Sequence, residues 1–170
     1  MLFRSGDTVT ECPAQSRFYA SGQAATTPAR HVTIWTGYND RWDRTPAQII
    51  SHIDAIVQRH TVNGARRVLV MQVPRSGTSA PDSGMNQTVD AYNFALSSAF
   101  PAQYVPICDL LQTEAAATHA GISFTAEDQL DISEGKNPRS FRTDSVHFND
   151  FGHRAIAAFM WEEIQSRGWA

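Results

Sequence analysis

The stretch HVTIWT at His31–Thr36 runs directly into GYND at Gly37–Asp40, and this junction of strand and loop decides the fold. β-Branched and aromatic residues dominate the first part, which is typical of a strand buried in a parallel sheet. Ligands of open α/β sheets bind at the carboxyl ends of such strands. The junction therefore predicts an α/β fold with a functional loop, although Gly, Asn and Asp also form ordinary turns.

Strand and helix patterns alternate along the rest of the chain, which favours a parallel sheet with right-handed crossovers. Further strands are predicted at Arg67–Val73, which Pro74 ends, and at Tyr104–Ile107. A capping box opens a helix at Thr45, and Asn149 or Asp150 caps the last helix. Two further helices are predicted, one marked by Val89, Tyr92, Leu96 and Phe100 and one at Leu110–His119 that ends by Gly121. Two loops are predicted, a rim loop at Pro74–Gly84 and a polar loop at Ile132–Arg142.

A second motif, DSVHFNDFG at Asp144–Gly152, lies just before the last predicted helix. It contains an Asp and a His three residues apart. A carboxylate that accepts from one imidazole nitrogen fixes the tautomer, so that the other nitrogen can take a proton from a hydroxyl nucleophile. Taken alone, D-x-x-H is more often a solvated pair in a surface loop than a catalytic dyad.

Together the GYND and DSVH motifs resemble the SGNH hydrolase family, also called GDSL-type esterases and lipases. Its third sequence block is G-x-N-D after a strand, and its fifth is D-x-x-H before the last helix. The resemblance implies one domain over residues 1–170, folded as a three-layer α/β/α sandwich around a flavodoxin-like parallel sheet of order 2-1-3-4-5. It also implies that Asp144 is the acid of a catalytic triad, His147 its base and Asn39 an oxyanion donor, with no cofactor.

The sequence SGDT at Ser5–Thr8 resembles the second block of the same family. In that alignment the backbone N–H of Gly6 is a second oxyanion donor. The same four residues are also an ordinary turn or helix-cap sequence.

The first block of the family, which carries the nucleophilic Ser, should lie well upstream of Gly6, whereas this sequence begins at Met1. An alternative alignment makes Gly6–Thr8 a variant first block with Thr8 as the nucleophile. Two apolar residues before it are too few for a central strand, so we prefer the first alignment and assign no nucleophile. We then expect a sheet without its first strands, whose exposed edge is complemented by an upstream segment, a partner chain or self-association.

Composition excludes several classes of partner. The formal net charge is −3, from 14 basic and 17 acidic residues, which gives no electrostatic footprint for nucleic acid or anionic lipid. No apolar run approaches the roughly 18 residues that a membrane span requires. Cys12 and Cys108 lie in no C-x-x-C pattern, and the histidines fall at no metal-binding spacing, so no metal site is predicted.

We therefore expect hydrolysis of a small-molecule or carbohydrate ester, acetyl or short acyl, through an acyl intermediate. One alternative is a non-catalytic binding or assembly domain that retains the scaffold without its nucleophile. Another is a flavodoxin-like phosphate or nucleotide binder that uses the amides of Ser5–Thr8. The second is disfavoured, because Arg4 is the one basic residue beside that loop and the sequence has no full P-loop pattern.

Overall fold

The computed structural model describes residues 2–5, 8–11, 31–40, 43–62 and 67–169. These residues form an α/β fold in which helices pack on both faces of a parallel sheet, as the sequence predicts. In chain order the elements are β1 (Leu2–Ser5), β2 (Thr8–Glu11), β3 (His31–Ile34), α1 (Pro46–Val62), β4 (Arg67–Met71), α2 (Gly84–Ala99), β5 (Tyr104–Val105), α3 (Ile107–Leu110), α4 (Glu114–Ala120), α5 (Ala126–Ser133), a 3₁₀ turn (Arg139–Phe141) and α6 (Asp150–Ser166).

The parallel sheet has the order β3-β4-β5 within the described part of the chain. Ile34 of β3 lies opposite Val70 of β4, and Val70 lies opposite Tyr104 of β5. This order is that of the last three strands of a flavodoxin-like sheet. β5 is shorter than predicted, because the chain turns at Pro106 and enters α3 at Ile107.

The side chains of β4 point alternately to the two faces of the sheet and so divide the core into two layers. Val68 and Val70 pack with residues of α1 and α2, including Ile53 and Leu96. Leu69 and Met71 face the other way and pack with residues of α4 and α6. Because successive side chains of a strand point to opposite faces, one continuous apolar run supplies both cores. The result is the predicted three-layer α/β/α arrangement.

The predicted start signals of the first and last helices are present. The Thr45 backbone N–H donates to Gln48 Oε1 at 2.9 Å, and the Gln48 N–H donates back to Thr45 Oγ1 at 3.4 Å. Asn149 caps α6 by accepting from the N–H groups of Phe151 and Gly152. These caps satisfy backbone donors that have no partner inside the helix, so they fix where each helix begins.

The N-terminal strands form a separate antiparallel pair. Leu2 of β1 lies opposite Glu11 of β2, and Ser5 lies opposite Thr8. Gly6 lies between these strands, outside the described residues, and only the backbone of Thr8 is described. The proposed oxyanion donor Gly6 and the candidate nucleophile Thr8 therefore remain predictions, as does a complemented sheet edge. None of the helices in the described ranges has the length and apolar character needed to span a bilayer.

Candidate active site

Asp144 and His147 form a hydrogen-bonded pair in the loop before α6. The distance between Asp144 Oδ2 and His147 Nδ1 is 2.7 Å. Asp144 Oδ1 accepts from the backbone N–H groups of Val146 and His147, both at 2.9 Å. These two hydrogen bonds from backbone amides, together with the hydrogen bond to the His147 ring, lower the pKa of Asp144 to about 2. The carboxylate therefore stays ionised in mildly acidic solution.

The pair is open to solvent, with 52% of the Asp144 side chain and 76% of the His147 side chain exposed. Water screens such a pair, so its contribution to folding stability is small. Its importance is geometric. A carboxylate bound to Nδ1 holds the neutral imidazole in the tautomer whose Nε2 accepts a proton.

The loop that carries the pair is closed at its base like a small hairpin. The Thr143 N–H donates to the His147 carbonyl at 2.8 Å, and Arg142 forms an antiparallel bridge with Phe148. Asn149 Nδ2 donates to the carbonyls of Ser140 and Arg142, while its Oδ1 caps α6. One Asn side chain thus joins the base of the loop to the start of the helix.

A buried ion pair lies beneath the loop. Arg142 Nη2 donates to Asp131 Oδ2 at 2.6 Å, with 9% and 4% of the two side chains exposed. Arg139 adds two hydrogen bonds of 3.1 Å to the same carboxylate. Removing one member of a buried pair leaves an uncompensated charge, so this network strongly constrains the position of Arg142 and of the hairpin that begins there.

Trp35 brings the carboxyl end of β3 against this loop. Its ring stacks on Phe148, with ring centroids 5.7 Å apart and an interplanar angle of 29°. Its indole N–H donates to the Gln72 carbonyl at 2.9 Å, directly after β4. The residue next to His147 is therefore in contact with the strand that leads into the loop of Asn39.

The GYND turn itself is shaped by close packing on α2. Gly37 is buried at φ +104°, and a Cβ there would overlap the Tyr92 ring. The Tyr92 hydroxyl donates to the Thr36 carbonyl at 3.2 Å. Burial, with a smaller contribution from the Asp40 carboxylate, raises the pKa of Tyr92. Gly at this position is thus required both by backbone conformation and by space.

The loop after β4 borders the same rim, as predicted. The Gly77 N–H donates to the Ser145 carbonyl at 2.7 Å, which ties this loop to the Asp144–His147 loop. The buried Asn86 side chain accepts from the Ser76 N–H and donates to the Ala80 carbonyl. Such anchoring makes this segment an ordered wall of the site rather than a loose connector.

The structure thus places Asp144 and His147 in one hydrogen-bonded pair. It also places the carboxyl end of β3, the strand that precedes Asn39, at the same rim. Asn39 lies exposed in the turn four residues beyond Trp35. The supporting roles of Trp35, Gly77 and Asp131 were not predicted from the sequence. For Trp35 the sequence did offer a signal, namely a Trp directly after a strand. For Asp131 it offered none, because nothing in the local sequence pairs Asp131 with Arg142.

The described residues contain no cluster of three or more His, Cys, Asp or Glu side chains arranged to hold a metal ion. The described residues of the site supply a carboxylate, an imidazole and backbone amide groups.

Comparison with known proteins found one family. The model of the GDSL-like Lipase/Acylhydrolase family matches residues 4–155, a range that contains both the GYND and the DSVH motifs. Neither the curated proteins nor the solved structures gave a match.

Replacing Gly152 with Ala should destabilise the protein by about 1–3 kcal/mol, the usual cost of overpacking. A Cβ there would lie 2.5 Å from the Phe141 carbonyl and 3.0 Å from the Phe148 ring. Gly84→Ala is the matched control in a first helical turn, because no atom lies within 4 Å of its Cβ position. Urea unfolding should show a loss for Gly152→Ala alone; equal stability of both variants would contradict this packing.

Replacing Asp131 with Asn should lower the free energy of unfolding by about 3 kcal/mol or more, because it leaves Arg142 buried without its counter-charge. Glu162→Gln is the control, since Glu162 pairs with His119 while 55% exposed. That change should cost less than about 1 kcal/mol. Chemical denaturation measures both, and a loss at Asp131 no larger than the control would show that the buried pair is unimportant.

Proposed function

Because the chain belongs to the GDSL-like Lipase/Acylhydrolase family, whose chemistry is ester hydrolysis, we propose that it cleaves acetyl or other short acyl esters of small molecules or carbohydrates. The observation that supports this best is the 2.7 Å hydrogen bond between Asp144 Oδ2 and His147 Nδ1. It is the arrangement that a general base needs in acyl transfer.

In the proposed reaction, a hydroxyl nucleophile attacks the ester carbonyl carbon while His147 Nε2 takes the hydroxyl proton. The new carbon–oxygen bond gives a tetrahedral oxyanion, for which the Asn39 side chain and the Gly6 amide are the proposed donors. The imidazolium then gives its proton to the departing alkoxide as the original ester bond breaks. Water hydrolyses the acyl intermediate by the same two steps, which returns the nucleophile and His147 to their starting states.

Asp144 has two tasks in this scheme. It holds the imidazole through Nδ1, and its negative charge stabilises the imidazolium that forms during attack. The low pKa of Asp144, about 2, suits both tasks, because the carboxylate remains ionised in neutral and in mildly acidic solution. Loss of activity in mild acid would then report on protonation of a group other than Asp144.

The proposal does not assign the nucleophile. Thr8 is the candidate that the sequence offers, and an experiment can identify the residue. A fluorophosphonate reacts with a hydroxyl that a neighbouring imidazole activates. Stoichiometric labelling of the wild-type protein, followed by mass spectrometry of its peptides, would identify that residue. A protein that is not labelled would favour a non-catalytic binding domain instead.

Replacing His147 with Ala should reduce hydrolysis of p-nitrophenyl acetate to the background rate and abolish fluorophosphonate labelling. The fold should be unaffected, because 76% of the His147 side chain is exposed. His52→Ala, at an exposed position of α1, serves as the control and should retain full activity. Turnover that survives in His147→Ala would remove this residue from the mechanism.

Replacing Asp144 with Asn should lower kcat by about 10³–10⁴-fold with little change in the folded structure. The amide oxygen can still accept from the Val146 and His147 N–H groups, so the loop keeps its shape. The amide nitrogen, however, faces His147 Nδ1 as a donor and favours the wrong tautomer. Steady-state kinetics with p-nitrophenyl acetate measure the effect; wild-type kcat in this variant would exclude Asp144 as the acid.

A further inference from the structure

The buried face of α2 carries an amide among apolar side chains. Its buried residues are Asn86, Val89, Tyr92 and Leu96, at the spacing of one helix face. The last three pack in the core with α1 and the sheet, whereas Asn86 is 0% exposed and its side chain is polar. Burying an amide costs free energy unless its polar atoms are hydrogen-bonded, so the partners of Asn86 indicate what the residue does.

Asn86 holds the rim loop, Pro74–Gly84, through both ends of its side chain. Its Oδ1 accepts from the Ser76 N–H at 2.9 Å. Its Nδ2 donates to the Ala80 carbonyl at 3.0 Å and to the Ser79 carbonyl at 3.5 Å. An apolar side chain, which would suit the core equally well, could make none of these bonds.

The next residue of the rim loop, Gly77, reaches the loop of the Asp144–His147 pair. The Gly77 N–H donates to the Ser145 carbonyl at 2.7 Å. Gly77 also lies against Arg142, since a Cβ at residue 77 would overlap the Arg142 guanidinium, which Asp131 binds. The backbone of Gly77 is therefore closely confined, and its N–H keeps its direction as long as Ser76 is held.

The Ser145 carbonyl and the Val146 N–H belong to one planar peptide group. Gly77 binds the carbonyl, and the Val146 N–H donates to Asp144 Oδ1 at 2.9 Å. Fixing the carbonyl therefore fixes the direction of the N–H. Consecutive hydrogen bonds also polarise one another, so the bond from Gly77 makes the Val146 N–H a better donor. That N–H makes the largest contribution to the low pKa of Asp144.

His147 depends on this arrangement because its ring is exposed. Solvent reaches 76% of the side chain, and among the described residues Asp144 is the hydrogen-bond partner of the ring, at 2.7 Å. The direction of the Asp144 carboxylate therefore sets the direction of the imidazole. A series of hydrogen bonds and planar peptide groups thus connects Asn86 on α2 with His147 Nδ1.

We propose that Asn86 is a positioning residue for the Asp144–His147 pair, acting through the rim loop and the peptide between Ser145 and Val146. The inference rests on the proposed esterase function. It adds a residue that touches neither the substrate nor the reacting atoms, since Asn86 is fully buried. Without its amide the Ser145 carbonyl can turn away, the hold on Asp144 weakens and the imidazole leaves its catalytic orientation. The chemical step then slows while substrate binds as before.

The kinetic test replaces Asn86 with Ala and uses p-nitrophenyl acetate. We expect kcat to fall by about 10- to 100-fold, the loss that a misplaced catalytic group causes, with KM unchanged. Asn86→Asp keeps an oxygen that can accept from the Ser76 N–H, so it should retain more of kcat than Asn86→Ala. Ile53→Val, in the buried face of α1, is the control for lost stability and should keep the wild-type kcat.

Two kinetic results would overturn the positioning role. One is a folded Asn86→Ala protein with the kcat of Ile53→Val, and the other is a loss that falls on KM instead of kcat. Asn86→Ser is the second variant if Asn86→Ala does not fold. Its hydroxyl is one bond shorter than the amide oxygen, so it should no longer reach the Ser76 N–H and should lower kcat in the same way.

A measurement that needs no turnover is the NMR scalar coupling across the hydrogen bond from the Gly77 nitrogen to the Ser145 carbonyl carbon. We expect it in the wild type, and its loss in Asn86→Ala together with the preference of neutral His147 for a proton on Nδ1. If these results hold but the wild type hydrolyses no ester, the esterase proposal alone is removed. A wild type without the coupling, or an Asn86→Ala protein that keeps both signals, overturns the positioning role even in an active esterase.

Discussion

The contact between Trp35 and Phe148 joins parts of the chain that are distant in sequence, and the proposed site depends on it. Trp35 directly follows the first strand of the described parallel sheet, and Phe148 follows the candidate base His147. The indole N–H also binds the backbone just after β4. One side chain therefore aligns the carboxyl ends of two strands with the loop of the acid–imidazole pair, so that their polar groups can meet a single substrate.

An exposed pair such as Asp144 and His147 cannot hold its own position, since water screens it. Contacts beneath the loop and beside it hold the pair in position. The buried Asp131–Arg142 pair constrains the residue at which the hairpin begins, and Asn149 links its base to α6. The Gly77 N–H holds the hairpin from the neighbouring loop. Stability thus resides in buried groups, which leaves the imidazole accessible to substrate.

Much of this fold could be predicted, because the elements that bury most surface carry periodic patterns. The continuous apolar run of β4 serves both faces of the sheet, and the capping box at Thr45 fixes the start of α1. The acid–imidazole pair could also be predicted, because its members are three residues apart. The packing beneath it could not. The polar sequence Ile132–Arg142 indicates a solvated loop, yet Lys136 and Asn137 are buried there, and a buried polar group is revealed only by its tertiary partners.

The central claim is that Asp144 fixes the tautomer of His147 so that Nε2 can act as the base. Nitrogen-15 NMR of the histidine-labelled protein tests it most directly, with His147→Ala used to assign the signals. We predict that neutral His147 carries its proton on Nδ1 and that this preference disappears in Asp144→Asn. A neutral His147 protonated on Nε2 in the wild-type protein would contradict the account.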